Sequence, residues 1–198
     1  LLRPRLIAAL QKLNQISESE AGILANELAR LESNQRWTEI LRGHFSRKLR
    51  GEDHHSRVRL IDFDNPANND FLCLNQFKVE GTKNRIPAVV IFVNGIPLVV
   101  IEAKSPLNRS QNTFDAIDQI RSLEKEVPRL FYSNLLNIAT NDLHLMYGAT
   151  GAAAEYWSQW RDPWPRKEEE FPEETAKGLY ALLEPSRLLD LLAHFVVF

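Results

Sequence analysis

The sequence predicts an α/β domain whose helices surround a sheet centred on a β-hairpin. Apolar residues recur at helical spacing near both ends of the chain and over residues 112–127. Two apolar runs meet at Asn94-Gly95, and 198 residues suit one well-formed core. Hydrophobic residues at 44% and charged residues at 25% are ordinary for a globular domain.

Leu6, Ile7, Leu10 and Leu13 mark a first helix, and Ile23, Leu24, Leu28 and Leu31 a second. Ser17-Glu18-Ser19-Glu20 offers an N-cap between them. Residues 37–49 read as a third helix, stopped by Gly51. From Val58 the period changes: 58–63 and 71–79 read as strands, with a turn cluster at 64–69 and a loop at 81–84. Residues 88–93 and 96–104 form the hairpin around Asn94-Gly95. Both strands are apolar at nearly every residue, so both faces are expected to be covered. Residues 112–127 form an amphipathic helix with Phe114, Ile117, Ile120 and Leu123 as its inner stripe, ended by Pro128. Residues 135–139 and 143–147 read as strands around Asn141-Asp142. Residues 157–172, rich in Trp, Pro and charge, read as a surface excursion, and 179–198 as a helix with an apolar tail. No internal repeat is present.

The net charge of −2 and pI of about 6.3 argue against an autonomous DNA binder, because phosphate neutralisation favours a basic excess. Any encounter with DNA is expected to be brief or arranged by a partner. No apolar run reaches membrane-spanning length, and the charged start does not read as a secretory signal. The missing initiator methionine reads as a cut from something longer. A single cysteine, Cys73, excludes an internal disulfide, fits a reducing cytoplasm and is expected to be buried filler in its strand.

The chemistry-bearing feature is Val99-Val100-Ile101-Glu102-Ala103-Lys104. Side chains alternate along a strand, so Glu102 and Lys104 project from one face. An acid and a lysine on a buried strand are costly unless paired or used. A carboxylate there can hold Mg²⁺, and a lysine two residues on can orient a water for attack on a phosphodiester. Alone, the pattern equally describes a cross-strand ion pair worth about 1 kcal/mol or less.

Residues 69–77, the run from Pro87 to Pro106, Gln119, 128–134 and Tyr147-Gly148-Ala149 together resemble the N-terminal nuclease domain of R subunits of type I restriction-modification enzymes, members of the PD-(D/E)xK nucleases. The likeness runs from about Leu6 to Arg161. It implies a restriction-endonuclease-like core, a mixed sheet flanked by helices, and Mg²⁺-dependent cleavage of double-stranded DNA in the cytoplasm. It implies residues 1–160 as the nuclease domain and 161–198 as linker and lead-in to an ATP-driven translocase, with 188–198 resembling that lead-in. The partners implied are duplex DNA, the motor domains of the same subunit, and the modification and specificity subunits.

Carried over position by position, the resemblance makes Glu102 a metal ligand and Lys104 a catalytic residue. Gln119 matches the glutamine of a Gln-x-x-x-Tyr helix element whose tyrosine is replaced here by Leu123. Ala88, after Pro87, stands where the family carries its metal-bridging aspartate. Keeping Glu102 and Lys104 while losing that aspartate fits one substitution that silences the nuclease, with natural loss as the alternative. A non-catalytic DNA-guiding or docking module is the second functional class.

The hairpin supplies a geometric condition. A two-residue turn with no bulge would aim residue 88 away from Glu102, whereas a three-residue loop with a Gly95 bulge would put 88, 102 and 104 on one face. His54-His55 and Glu168-Glu169-Glu170 read as solvated, Trp157, Trp160 and Trp164 as packing residues, and Asp70 and Glu80 as weak candidates for assisting a metal.

Overall fold

A computed structural model describes residues 1–105, 107, 112–141 and 143–195. The turn residue Asp142 and the tail 196–198 lie outside the described residues. A five-stranded mixed sheet is flanked by helices on both faces, as the sequence predicts. Its strands are β3 (Phe71–Asn75), β4 (Val89–Val93), β5 (Ile96–Ala103), β6 (Leu136–Thr140) and β7 (Leu145–Ala149), in that spatial order. A separate two-stranded ribbon joins β1 (Ser46–Lys48) to β2 (His55–Arg57). Only β5 and β6 are parallel, and their crossover carries helix α4 (Thr113–Glu126). Every residue of β5 from Ile96 to Glu102 is buried, so the hairpin is central.

One face carries α1 (Arg3–Asn14), α2 (Glu18–Leu28), α3 (Asn34–Leu41), α6 (Glu174–Leu183) and α7 (Pro185–His194), packed around Leu6, Leu28, Trp37, Val99, Ile138 and Leu189. The other carries α4, which packs Ala116, Ile117, Ile120 and Leu123 against Val90, Phe92, Val100 and Ala139. Short α5 (Pro128–Phe131) follows α4. Ser17 caps α2 by accepting from the Glu20 amide, as expected. Asn112 and Asp115 form a capping box on α4.

Several expectations are corrected. The third helix starts earlier, capped by Ser33, and ends near Gly43; Ser46–Lys48 leaves it to pair with β2. Residues 58–63 are not a strand. Val58, Leu60 and Ile61 are buried, but side-chain amides take the place of a neighbouring strand: Asn14 bonds both the N–H and C=O of Arg59, and Asn94 donates to the Leu60 carbonyl. The strand expected over 71–79 stops at Asn75, because Gln76 turns to φ 50°. Phe114 is 57% exposed; Thr113 and Ala116 take the inner stripe in its place. Cys73 is exposed, since β3 is an edge strand and alternation sends Leu72 and Leu74, not Cys73, under α4. Residues 179–195 hold the end of one helix and a second rather than a single helix, divided at Glu184-Pro185.

The hairpin turn is two residues long, with Asn94 at φ 53° and Gly95 at φ 76°, so the three-residue loop that the nuclease reading called for is absent. The bulge lies further along. Ile91 pairs with Val99 and Phe92 with Pro97, leaving Leu98 as the extra residue of β5. Gly95 is required twice, for its positive φ and because a Cβ there would lie 2.6 Å from the Leu2 carbonyl oxygen. Asn94 is buried: its side chain donates to the Leu60 carbonyl at 2.7 Å and to Asn69 at 2.9 Å, and accepts from the Asp70 amide at 2.8 Å. Asn94→Ala is expected to cost about 3 kcal/mol, from stranded buried partners and a non-glycine αL residue. A denaturant midpoint within error of the parent would contradict this.

Candidate active site at the end of the central strand

The bulge decides which residues meet. With Leu98 inserted, Val89 pairs with Ile101 as the last rung of the ladder, and continuing that register would bring Ala88, just before β4, opposite Glu102. Without it, Ala88 would sit opposite Ile101 and face the other side of the sheet. The Ala88 amide donates to Glu102 Oε1 at 3.3 Å. The geometric condition set by the sequence is therefore met, by a bulge in the strand rather than at the turn.

Glu102 is 3% exposed and sits on the α4 face, two residues beyond Val100. Gln119, on α4, donates from Nε2 to Glu102 Oε2 at 2.9 Å, and its Oε1 accepts from the Lys104 ammonium. The orientation of this amide is dictated chemically, because the Lys104 ammonium can only donate and so faces the amide oxygen. Three of the predicted site residues thus form one chain, Glu102–Gln119–Lys104, with Ala88 closing the far side of the carboxylate. Lys104 is half-buried, its backbone tied to β6 through the Thr140 carbonyl at 2.8 Å. Burial pushes the Glu102 carboxyl up to about 7, against the opposing effects of the Ala88 N–H and the Lys104 charge.

Leu123, one turn beyond Gln119, is buried beneath α4 in the smaller core, so that position serves packing. The loop that leads into β4 is clasped to the C-terminus of α4: Glu126 receives Arg85 and Lys83, which hold its carboxyl at about 2. This fixes Pro87 and Ala88 relative to the helix that carries Gln119.

Other candidates lie elsewhere. Asp70 is at the turn end of the sheet, ion-paired with Arg5 at 2.6 Å, and Glu80 is exposed. His54 and His55 are exposed. Trp157 is buried against the sheet, Trp160 packs edge-on to Tyr147 at 5.5 Å, and Trp164 lies under Arg187 at 4.7 Å. Sequence reasoning missed the Ala88 peptide N–H as a partner of Glu102. No side-chain pattern signals a backbone donor.

A family described as "Type I restriction enzyme R protein N terminus" matches residues 1–156. The "Type I restriction enzyme HindI endonuclease subunit" of Haemophilus influenzae is 33% identical over 153 residues, covering 75% of this chain and 14% of that protein. The "Putative type I restriction enzyme MjaVIIIP endonuclease subunit" of Methanocaldococcus jannaschii is 34% identical over 143 residues, covering 72% of this chain and 14% of that protein. The chain thus spans a small part of these relatives' length.

Proposed function

The chain belongs to the family of type I restriction enzyme R protein N-termini, and from that premise we propose that it is the Mg²⁺-dependent DNA endonuclease domain of such a subunit, silenced by Ala88. The observation that carries this is the buried Glu102 carboxylate, joined through Gln119 to Lys104 and flanked by the position 88 backbone. In this reading residues 1–160 are the nuclease and 161–198 lead toward the ATP-driven motor. Duplex DNA, that motor and the modification and specificity subunits are the partners, in the cytoplasm. No helix among the described residues is long and apolar enough to cross a membrane.

The donors present do not fit a resident Mg²⁺. Glu102 is one carboxylate, Ala88 offers a methyl group, and no cluster of three His, Cys, Asp or Glu suited to a metal occurs among the described residues. No hydrolytic step is therefore assigned to the chain as it stands. Ala88→Asp would supply the second carboxylate, and a divalent ion held there would offset charge on the scissile phosphate. Lys104 would then orient the attacking water, and Gln119 would keep Lys104 and Glu102 in register.

A second reading, a DNA-guiding or docking module, is favoured by the Ala88 methyl alone. Crystals of the Ala88→Asp variant soaked with Mn²⁺ or Ca²⁺ separate the two. The nuclease reading expects a bound ion between residues 88 and 102; an empty site favours the docking module.

A further inference from the structure

We propose that a groove at this end of the sheet seats the sugar–phosphate backbone of the DNA strand flanking the scissile phosphate, with Phe114 and Met146 against deoxyribose and Arg161 and His144 on phosphate. This rests on the nuclease reading for the identity of the ligand. The groove, about 730 Å³, lies between the start of α4, the facing ends of β6 and β7, and residues 157–161. Lys104 is bonded to Thr140, the residue before Asn141 in the groove wall. Phe114 precedes Gln119 by five residues, roughly 7.5 Å along the helix axis. The groove therefore lies at the same end of the sheet as the Glu102–Lys104 pair.

Two observations point to a nucleic-acid backbone. Phe114 is 57% exposed and off the buried stripe of α4, so the core does not account for an aromatic there. Among the described residues, no acidic side chain lines the groove, in a chain with 26 acids and a net charge of −2. Arg161 is exposed and makes no ion pair among the described residues, and His144 is exposed on the opposite wall. Ser158 and Gln159 add neutral donors of the kind that position DNA through its phosphates. A lining that, among the described residues, mixes apolar side chains with an arginine and neutral hydrogen-bonding groups matches the alternation of sugar and phosphate along a strand.

A competing surface exists. Between Arg42 and Arg59 stand six Arg or Lys against two acids, a net +4 in an otherwise acidic chain. His55 and Arg57 are exposed on β2 and Arg59 is exposed just beyond it. That ribbon is anchored through Phe45 and Val58 in the core on the sheet face opposite α4.

The test is amide NMR of the ¹⁵N-labelled 198-residue chain titrated with a short DNA duplex at low salt, without divalent ions. Shifts are expected at residues 113–114, 144–146, 158–161 and Lys104. Phe114→Ala with Arg161→Gln should weaken binding about tenfold, with spectra otherwise unchanged. Arg161→Lys should retain the salt dependence that Arg161→Gln reduces. Shifts concentrated on residues 42–59, or no shifts at high duplex concentration, overturn the proposal. Because no cleavage is read, failure of the groove and failure of the nuclease reading are distinguishable. Cutting by an Ala88→Asp protein that shows no groove shifts overturns the groove alone, and groove shifts with no cutting overturn the nuclease alone.

Discussion

Ala88→Asp, placed in the full subunit with its partner subunits, Mg²⁺ and ATP, is expected to raise cleavage of duplex DNA by about a thousandfold or more. The size follows from what a metal ligand contributes: several kcal/mol of charge stabilisation in the transition state, at a factor of ten per 1.4 kcal/mol. The structure gives a reason for one substitution to suffice. The bulge at Leu98 sets the register that brings residue 88 to Glu102, whose carboxyl already takes the Ala88 amide, while Gln119 and Lys104 are in place behind it. On the proposed reading, the second carboxylate is what the metal site lacks. A companion signature is available without DNA. Two carboxylates side by side repel unless a cation lies between them, so the variant should unfold more readily than its parent at neutral pH and recover with Mg²⁺. The parent's unfolding temperature should be indifferent to Mg²⁺. An Ala88→Asp protein that binds neither Mg²⁺ nor Mn²⁺ and cuts nothing would falsify the proposed function.

Much of this site is legible in the sequence because it depends on period and polarity. An acid two residues before a lysine, in a strand otherwise apolar on both faces, identifies Glu102 and Lys104, and alternation puts them on one side. The resemblance adds Gln119, and the structure bonds it to both. What the sequence does not disclose is register. Leu98 is one more apolar residue in an apolar run, and no turn chemistry announces that it will have no partner, although it decides where residue 88 lies. Helix phase is ambiguous for a similar reason: Phe114 is as hydrophobic as Ile117, and only the Asn112 capping box fixes which residues begin inside. Residues 58–63 mislead because a strand's apolar alternation and an irregular segment pinned by asparagine amides bury the same side chains.

Glu102→Gln is expected to shift stability in favour of the variant as pH rises, by about 3 kcal/mol between pH 4.5 and 7, while abolishing any cleavage gained through Ala88→Asp. The folded chain holds the Glu102 proton to about pH 7, whereas the unfolded chain releases it near the ordinary value of 4.5. Between those values the folded state binds more protons than the unfolded one. The parent's stability from this group therefore falls by about 1.4 kcal/mol per pH unit across the window, and is flat below 4.5 and above 7. Glutamine has no charge to desolvate and removes that slope. It also cannot accept from both the Ala88 N–H and Gln119 Nε2, since one of its two terminal atoms is a donor. That mismatch adds a pH-independent penalty, so the quantity to measure is the change with pH in the difference between the two proteins. Glu124, also raised by burial, cancels because both carry it. Parallel denaturant-midpoint curves for parent and variant from pH 4 to 8 would mean that Glu102 is solvated in the folded chain. A solvated carboxylate would have no need of a cation, and the buried-charge argument for a metal at this strand end would go with it.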